Sequence, residues 1–304
     1  MSAPSGTSGL PDGFGLIYEV VSGSRAYGLA TAGSDLDIRG VCIPSPRYLL
    51  GLTPFEQWEA QSAEGETVIF GLSKFVRLAL ACNPNIIEML YTPPESVLRI
   101  TEAGQKLVAA RALFLTRQAG RTFSEYAISQ LRRLERHHRW LVDPPDHLPV
   151  QEEFGGQETE GRYKFPDHDA QRAYQNALRH WNQYQAWVRN RNPERAELER
   201  RYGYDTKHAM HLLRLLKMGV EILSTGQVHV YRPDHEWLLA VREGLLGYEA
   251  LLALAGEYEG QVKALRQSSA LPESPDAAAA EELVVELQGR HLIDQLRGPE
   301  ACAR

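Results

Sequence analysis

The order of apolar and polar residues predicts two strands near the N-terminus. A mostly apolar run from Ile17 to Val21 predicts a buried strand that ends at the Gly23-Ser24 turn. After a segment from Arg25 to Leu29 and a loop of small residues, polar and apolar side chains alternate from Ser34 to Ile38. A period of two is typical of a strand, so this segment is the second predicted strand.

The second predicted strand carries two aspartates. Asp35 and Asp37 are two residues apart, so their carboxylates are expected to point to the same face, with Leu36 and Ile38 opposite. Neighbouring carboxylates repel each other unless a positive charge lies between them. A hard divalent cation, Mg²⁺ or Mn²⁺, suits this position because it takes oxygen ligands and commonly combines carboxylates with substrate phosphates.

The turn before the aspartates predicts a phosphate site. Gly23 lets the backbone approach a ligand closely. If Arg25 opens a short helix, its free N–H groups and the Ser24 hydroxyl face outward and can bind an anion such as phosphate. The alternative is a β-turn followed by an edge strand whose two aspartates face solvent.

This order of motifs resembles the nucleotidyltransferase superfamily that includes DNA polymerase beta. The signature of that superfamily is Gly-Ser, a short helix and then Asp-x-Asp. The resemblance implies that Gly23 and Ser24 bind phosphates and that Asp35 and Asp37 bind metal.

The resemblance also implies a third carboxylate on a neighbouring strand, so that two metal ions can be bridged. A further strand is predicted from Glu64 to Phe70. Glu66 and Glu64 are both candidates, and Glu66 is favoured because it directly opens the apolar part of the strand. The alternative is a solvated glutamate at a strand start.

A basic stretch lies in the helical region that follows. It contains Arg132, Arg133, Arg136 and Arg139, with Trp140 beside them. Such a stretch can bind an RNA phosphate backbone, with aromatic rings available for stacking. The alternative is a solvated helix face.

A second cluster lies at the start of a later predicted helix, which Asp205 caps and Gly226 ends. Lys207, His211 and Arg214 are spaced i, i+4 and i+7, so they are expected to share one helix face. Three such groups in a row are expected to face an anion, such as a triphosphate. For His208, a buried and hydrogen-bonded ring without a ligand is the alternative to a binding role.

With Asn83-Pro84-Asn85 and the segment Tyr204 to Leu216 added, the chain resembles a predicted nucleotidyltransferase family that is associated with bacterial RNA ligases and RNA repair. The resemblance covers roughly Ile17 to Leu245. Where that family commonly has Asp as the third carboxylate, this chain has Glu66. The resemblance implies a nucleotide site, which we assign to Gly23, Ser24, Arg25, Ser34, Asn83, Asp205, Lys207, His208, His211 and Arg214. Its motif also carries Pro84 and Glu88 as candidate site residues.

The expected fold class is α+β. A flexible lead-in (1–12) precedes a polymerase-beta-type nucleotidyltransferase domain (13–100) with a mixed sheet and helices. An all-helical domain (101–297) follows, with a loop at 143–169, and the chain ends in a tail (298–304). The active site is expected in the cleft between the two domains.

Composition narrows the class of protein. The chain has 304 residues, 43% of them hydrophobic and 24% charged, as expected of a globular protein with one or two domains. The net charge of −6 argues against a wholly basic nucleic-acid binder but allows a local basic patch. Three widely spaced cysteines indicate reduced thiols and a cytoplasmic location, and neither a membrane span nor a secretory signal is evident.

The resemblance implies an enzyme that transfers a nucleoside monophosphate from an NTP, such as ATP, to a hydroxyl. The expected acceptor is an RNA end of tRNA type in RNA repair or processing, with a functional link to an RNA ligase. Two alternatives stay open: an enzyme that nucleotidylates proteins (AMPylation), and a non-catalytic nucleotide- or RNA-binding module.

Overall fold

The computed structural model describes residues 10–159 and 161–297, which form two compact units. Unit 1 contains residues 10–127, 213–239 and 254–297. Unit 2 contains residues 128–212 and 240–253. The predicted boundary at residue 100 does not coincide with this division, because residues 101–127 and two later segments also pack in unit 1. The predicted lead-in and tail lie largely outside the described residues.

Unit 1 is built on a mixed sheet of five strands, as the expected α+β class requires. The strands are β1 (Gly15–Ser22), β2 (Asp37–Ile43), β3 (Gln57–Gln61), β4 (Glu66–Gly71) and β5 (Val97–Ile100). Their order in the sheet is β3-β4-β2-β1-β5. β2 and β4 run parallel, and the other neighbouring strands run antiparallel.

Twelve helices lie in the described part of the chain. They are α1 (Gly23–Ala26), α2 (Pro46–Leu50), α3 (Leu72–Leu80), α4 (Pro84–Leu90), α5 (Glu102–Ala109), α6 (Gln118–Val142), α7 (His168–Arg189), α8 (Pro193–Tyr202), α9 (Thr206–Thr225), α10 (His235–Arg242), α11 (Tyr248–Ser268) and α12 (Ala277–Arg297). Short 3₁₀ helices occupy Pro94–Ser96, Ala110–Leu113 and Gln151–Phe154. None of the described helices is both long and apolar enough to cross a membrane.

The second predicted strand starts later than expected. Its first residue is Asp37, whereas Ser34 and Asp35 belong to the preceding loop. The backbone N–H of Leu36 donates to the carbonyl of Glu64 at 2.7 Å, so the chain meets its sheet neighbour before the ladder begins. Asp35 therefore lies on the approach to the strand instead of within it.

The predicted loop at 143–169 is only partly irregular. It contains the 3₁₀ helix and a hairpin formed by β6 (Gln157–Thr159) and β7 (Arg162–Lys164), and α7 begins at His168. The Pro and Gly residues of this segment predict turns. Its two strands have only three residues each, which is too short for an alternation of polar and apolar residues to be recognised.

Candidate active site

The Gly23 turn lies directly against Asp37. Ser22, the last residue of β1, pairs with Asp37, the first residue of β2. Gly23 has φ +66°, and a Cβ atom at this position would overlap Asp37 Oδ2. Glycine meets both requirements, because it adopts positive φ without strain and leaves room for the carboxylate. The sequence-predicted turn and aspartate are therefore in contact.

Arg25 and Ser34 hold the loop that leads to the aspartates. Arg25 donates from Nη2 to the Ser34 carbonyl at 2.9 Å and from Nε to the Asp35 carbonyl at 3.2 Å. The Ser34 hydroxyl oxygen accepts from the Thr31 N–H at 2.8 Å. Both side chains thus have a role in fixing the loop, and their contact with a nucleotide stays a prediction.

Glu66 lies beside Asp37. In the parallel ladder Ile38 is paired with Thr67, so Asp37 and Glu66 open adjacent strands. Glu64 is exposed and precedes the strand. Burial raises the pKa of Asp37 above its ordinary value, and the charges of Glu66 and Asp35 raise it further. The structure thus brings Asp35, Asp37 and Glu66 within electrostatic reach of one another.

Arg39 is a site residue that sequence reasoning missed. Its Nη2 atom donates to Glu66 Oε2 at 2.6 Å, and its charge opposes the rise in the pKa of Asp37. The signal was present, because Arg39 continues the alternation that relates Asp35 to Asp37. Partners on a different strand cannot be read from spacing along one strand.

The donor set fits a divalent cation held by two carboxylates. With Glu66 paired to Arg39, the acidic groups available at the turn are Asp35 and Asp37. One or two carboxylates combined with substrate phosphates are the usual protein contribution to Mg²⁺ binding. Across residues 10–159 and 161–297, no three His, Cys, Asp or Glu side chains are grouped as a metal cluster, so the metal role of Glu66 stays a prediction.

Residues 11–286 match the RNA repair pathway DNA polymerase beta family. The chain belongs to this family. Its membership makes the protein a polymerase-beta-type nucleotidyltransferase of RNA repair, in agreement with the resemblance. No curated protein matches the chain significantly.

In this family member, Arg214 contacts Tyr27, a residue that is hydrogen-bonded to the Gly23 turn. Arg214 is 3% exposed, its Nη1 donates to Glu88 Oε1 at 2.5 Å, and its guanidinium lies over the Tyr27 ring at 3.7 Å. The Tyr27 hydroxyl donates to Glu88 Oε2 at 2.5 Å, and the Tyr27 N–H donates to the Gly23 carbonyl. These residues form the Tyr27–Glu88–Arg214 cluster within unit 1.

Arg214 faces the Glu88 carboxylate in this structure, so its predicted contact with a ligand anion stays a prediction. The spacing of Lys207, His211 and Arg214 is helical, but Arg214 is buried and the carboxylate of Glu88 neutralises it. Lys207 and His211 are half-buried on the same helix, and their predicted contact with nucleotide stays a prediction.

Asn83 caps helix α4. Its side-chain oxygen accepts from the Asn85 N–H at 3.1 Å, which satisfies a backbone donor at the helix start. The amide oxygen therefore has a structural role, and a contact of Asn83 with nucleotide stays a prediction.

Asp205 and His208 bond to each other in unit 2. Asp205 Oδ1 accepts from the His208 N–H at 2.9 Å, as the predicted cap requires, and Oδ2 lies 2.5 Å from His208 Nδ1. Arg195, which the sequence did not single out, adds Nη1 at 3.6 Å from Asp205 Oδ2. Burial favours a higher pKa for Asp205, but hydrogen bonds and charge from His208, with the charge of Arg195, hold it at about 2.

His208 therefore has the buried, hydrogen-bonded setting that was the alternative to a binding role. The four arginines of the basic stretch are all exposed in unit 2, and His137 lies buried among them. Burial lowers the pKa of His137 to about 4, and the charges of Arg133, His208 and Arg136 contribute in the same direction against that of Asp205. The His137 ring is neutral at pH 7.

Replacing His137 with glutamine is expected to reduce acid sensitivity of folding. The folded ring binds its proton only near pH 4, whereas the unfolded chain binds it from about pH 6.5, so the unfolded state holds more protons between these values. Stability is lost as the pH falls through this window, by up to about 3 kcal/mol. Urea unfolding at pH 7 and pH 4.5 measures the loss.

The exposed His168 provides the control. His168→Gln should retain the acid sensitivity of the unaltered protein. A His137→Gln variant that loses as much stability on acidification as the unaltered protein would show that His137 is not the responsible group.

Proposed function

We propose that the protein uses Mg²⁺ or Mn²⁺ to transfer a nucleoside monophosphate from an NTP to the hydroxyl of an RNA end. The observation that carries the proposal is the contact between the Gly23 turn and Asp37, with Asp35 two residues earlier in the chain and its charge acting on Asp37. A turn suited to phosphates thus touches Asp37, one of two neighbouring carboxylates suited to a cation. Membership of an RNA-repair family supports RNA as the acceptor.

A cation bound by Asp35 and Asp37 would polarise the phosphate and lower the pKa of the attacking hydroxyl. The Ser24 hydroxyl and the backbone of the turn bind and orient the triphosphate. The acceptor oxygen bonds to the α-phosphorus while the bond to the pyrophosphate oxygen breaks. One of the carboxylates accepts the hydroxyl proton.

Arg39, which is paired with Glu66, supplies positive charge beside the carboxylates of the turn. Its side chain is about one-fifth exposed, at 22%, and it lies on the face of β2 that carries Asp37. A fixed guanidinium beside the reacting phosphates stabilises negative charge that develops as pyrophosphate leaves.

The proposal is tested with α-labelled NTP, Mg²⁺ and RNA that has free hydroxyl ends. Label is expected on the RNA, with release of pyrophosphate. Label on protein alone would replace the proposal with protein nucleotidylation. Tight NTP binding without release of pyrophosphate would indicate a binding module.

Gly23→Ala is expected to reduce transfer by about 100-fold, because small misplacement of catalytic groups has effects of this size. The added Cβ would displace the Asp37 carboxylate, and positive φ would strain the backbone by about 1–2 kcal/mol. The transfer assay and a thermal melt measure the two effects. Gly33→Ala is the matched control, since a Cβ at Gly33 meets no atom within 4 Å, and it should retain activity. Full activity of Gly23→Ala would show that the contact between Gly23 and Asp37 is not needed for transfer.

A further inference from the structure

The four arginines of the basic stretch are not equivalent. Arg133, Arg136, His137 and Trp140 follow one another at i, i+3, i+4 and i+7 of α6, so they share one face. These residues line a hollow in unit 2. Arg132 and Arg139 do not belong to its lining.

The hollow, which we call the Arg133 cavity, has two connected parts. The larger, of about 500 Å³, is closed on the other side by Ala186, Trp187 and Asn190 of the α7 region. The smaller, of about 210 Å³, shares Arg133, His137, Trp187 and Asn190 with it. The larger part falls within the usual range of small-molecule sites, about 300–1,000 Å³.

The cavity has an excess of positive charge. Glu199 and Asp205 line the smaller part, are 2% and 1% exposed, and are already paired. Arg191 donates to Glu199 from Nε at 2.8 Å, and Arg195 lies beside Asp205.

Arg133 and Arg136 have no carboxylate partner within the described ranges, 10–159 and 161–297. With His137 neutral, their two charges stay uncompensated on one wall. Two adjacent guanidinium groups are suited to a phosphate, which they bind through several hydrogen bonds at once.

The opposite wall carries Trp187 and Ala186 together with the polar residues Gln183 and Asn190. Trp187 is half-buried beside Ala186, and Arg191 lies over its ring at 4.5 Å. On the α6 wall, beside the arginines, Trp140 is fixed because its indole N–H donates to His180 Nε2 at 2.8 Å. Flat aromatic side chains next to arginines are the usual surroundings of a nucleobase in single-stranded nucleic acid.

We propose that the Arg133 cavity binds a phosphorylated ribonucleotide, with its phosphate monoester on Arg133 and Arg136 and its base beside Trp187. The ligand can be the terminal nucleotide of an RNA or a free mononucleotide. In the first case the proposal deepens the proposed function and rests on it, since it names a phosphorylated RNA end as the partner of the enzyme.

The test measures binding by anisotropy in EDTA, without NTP, on the full chain. Each short RNA carries either a phosphate or a hydroxyl at one end and the fluorophore at the other end. The comparison is made first at the 5′ end and then at the 3′ end. A terminal phosphate is expected to tighten binding about tenfold or more, because charge-assisted hydrogen bonds form with both arginines. An abasic terminal nucleotide is expected to bind about tenfold more weakly than an intact one.

Paired double variants decide whether the cavity is responsible. Arg133→Gln with Arg136→Gln should remove the preference for a terminal phosphate. Arg132→Gln with Arg139→Gln removes the same charge from the same helix and should leave the preference intact. If both double variants lose the preference for a terminal phosphate equally, the effect is a general attraction of RNA to a basic helix and the proposal is overturned. The proposal is also overturned if the unaltered protein shows no preference for a terminal phosphate.

Competition by AMP, UMP and inorganic phosphate separates the sources. Displacement of the RNA by mononucleotide at similar concentration supports the free nucleotide as ligand, and resistance supports the RNA end. If inorganic phosphate displaces the RNA at a similar concentration, the proposal that the cavity recognises a nucleotide is overturned. Because binding needs neither metal nor turnover, loss of transfer with intact binding counts against the proposed function alone.

Discussion

Asp35→Asn combined with Asp37→Asn is expected to lower nucleotidyl transfer by at least about a thousandfold, since a bound metal contributes several kcal/mol to such reactions. The protein should stay folded, with an equal or higher melting temperature. Burial, Glu66 and Asp35 all raise the pKa of Asp37, so its charge is unfavourable in the folded protein without a cation. Transfer assays and thermal melts with and without Mg²⁺ measure both effects.

The melt with Mg²⁺ carries separate information. The unaltered protein is expected to gain stability from the cation, and the double variant is not, because ligands that bind the folded state stabilise it. Asp12→Asn with Asp146→Asn makes the same charge change at two exposed positions and should behave as the unaltered protein does. Undiminished transfer in the Asp35 and Asp37 variant would end the proposal of metal-dependent chemistry at this turn.

Glu88→Gln is expected to lower the free energy of unfolding by about 3–5 kcal/mol, because removal of one partner leaves a buried charge uncompensated. Glu88 and Arg214 are both 3% exposed, and their side chains are 2.5 Å apart. Urea unfolding measures the change. A loss below about 1 kcal/mol would mean that water reaches the pair, as in exposed ion pairs.

A mutant cycle distinguishes the charge from the packing. In a Tyr27→Phe background, which removes the hydroxyl that needs Glu88, the cycle compares Glu88→Met, Arg214→Met and both together. Each single change should be strongly destabilising, whereas the pair should recover most of the stability, since apolar replacements of buried ion pairs are often neutral. If the stability loss of the double variant equals the sum of the two single losses, the two residues are not coupled.

The local part of the site was predictable from sequence because its determinants are adjacent along the chain. The apolar run, the turn and the alternation at Asp37 each follow from short-range periodicity, and the mixed sheet agrees with the resemblance they suggested. The start of the strand was misplaced by three residues, because Ser34 and Asp35 alternate with apolar neighbours before the ladder begins.

The other parts depend on contacts between distant segments. Arg39 meets Glu66 because β2 pairs with β4 in parallel, which no spacing within either strand reveals. The helical period places Arg214 and Lys207 on one face of a helix. It does not indicate whether that face is exposed to solvent or packed against a buried carboxylate such as Glu88. The Arg133 cavity likewise draws its lining from three helices.

The burial of Arg214 affects how variants of this protein should be scored. Arg214 touches the ring of Tyr27, and Tyr27 bonds to the carbonyl of Gly23, so damage at Arg214 reaches the turn without any missing ligand contact. A screen that records turnover alone would count Arg214 and Glu88 among the substrate-binding residues. Measuring protein abundance alongside turnover would assign them instead to the framework that keeps the turn in shape.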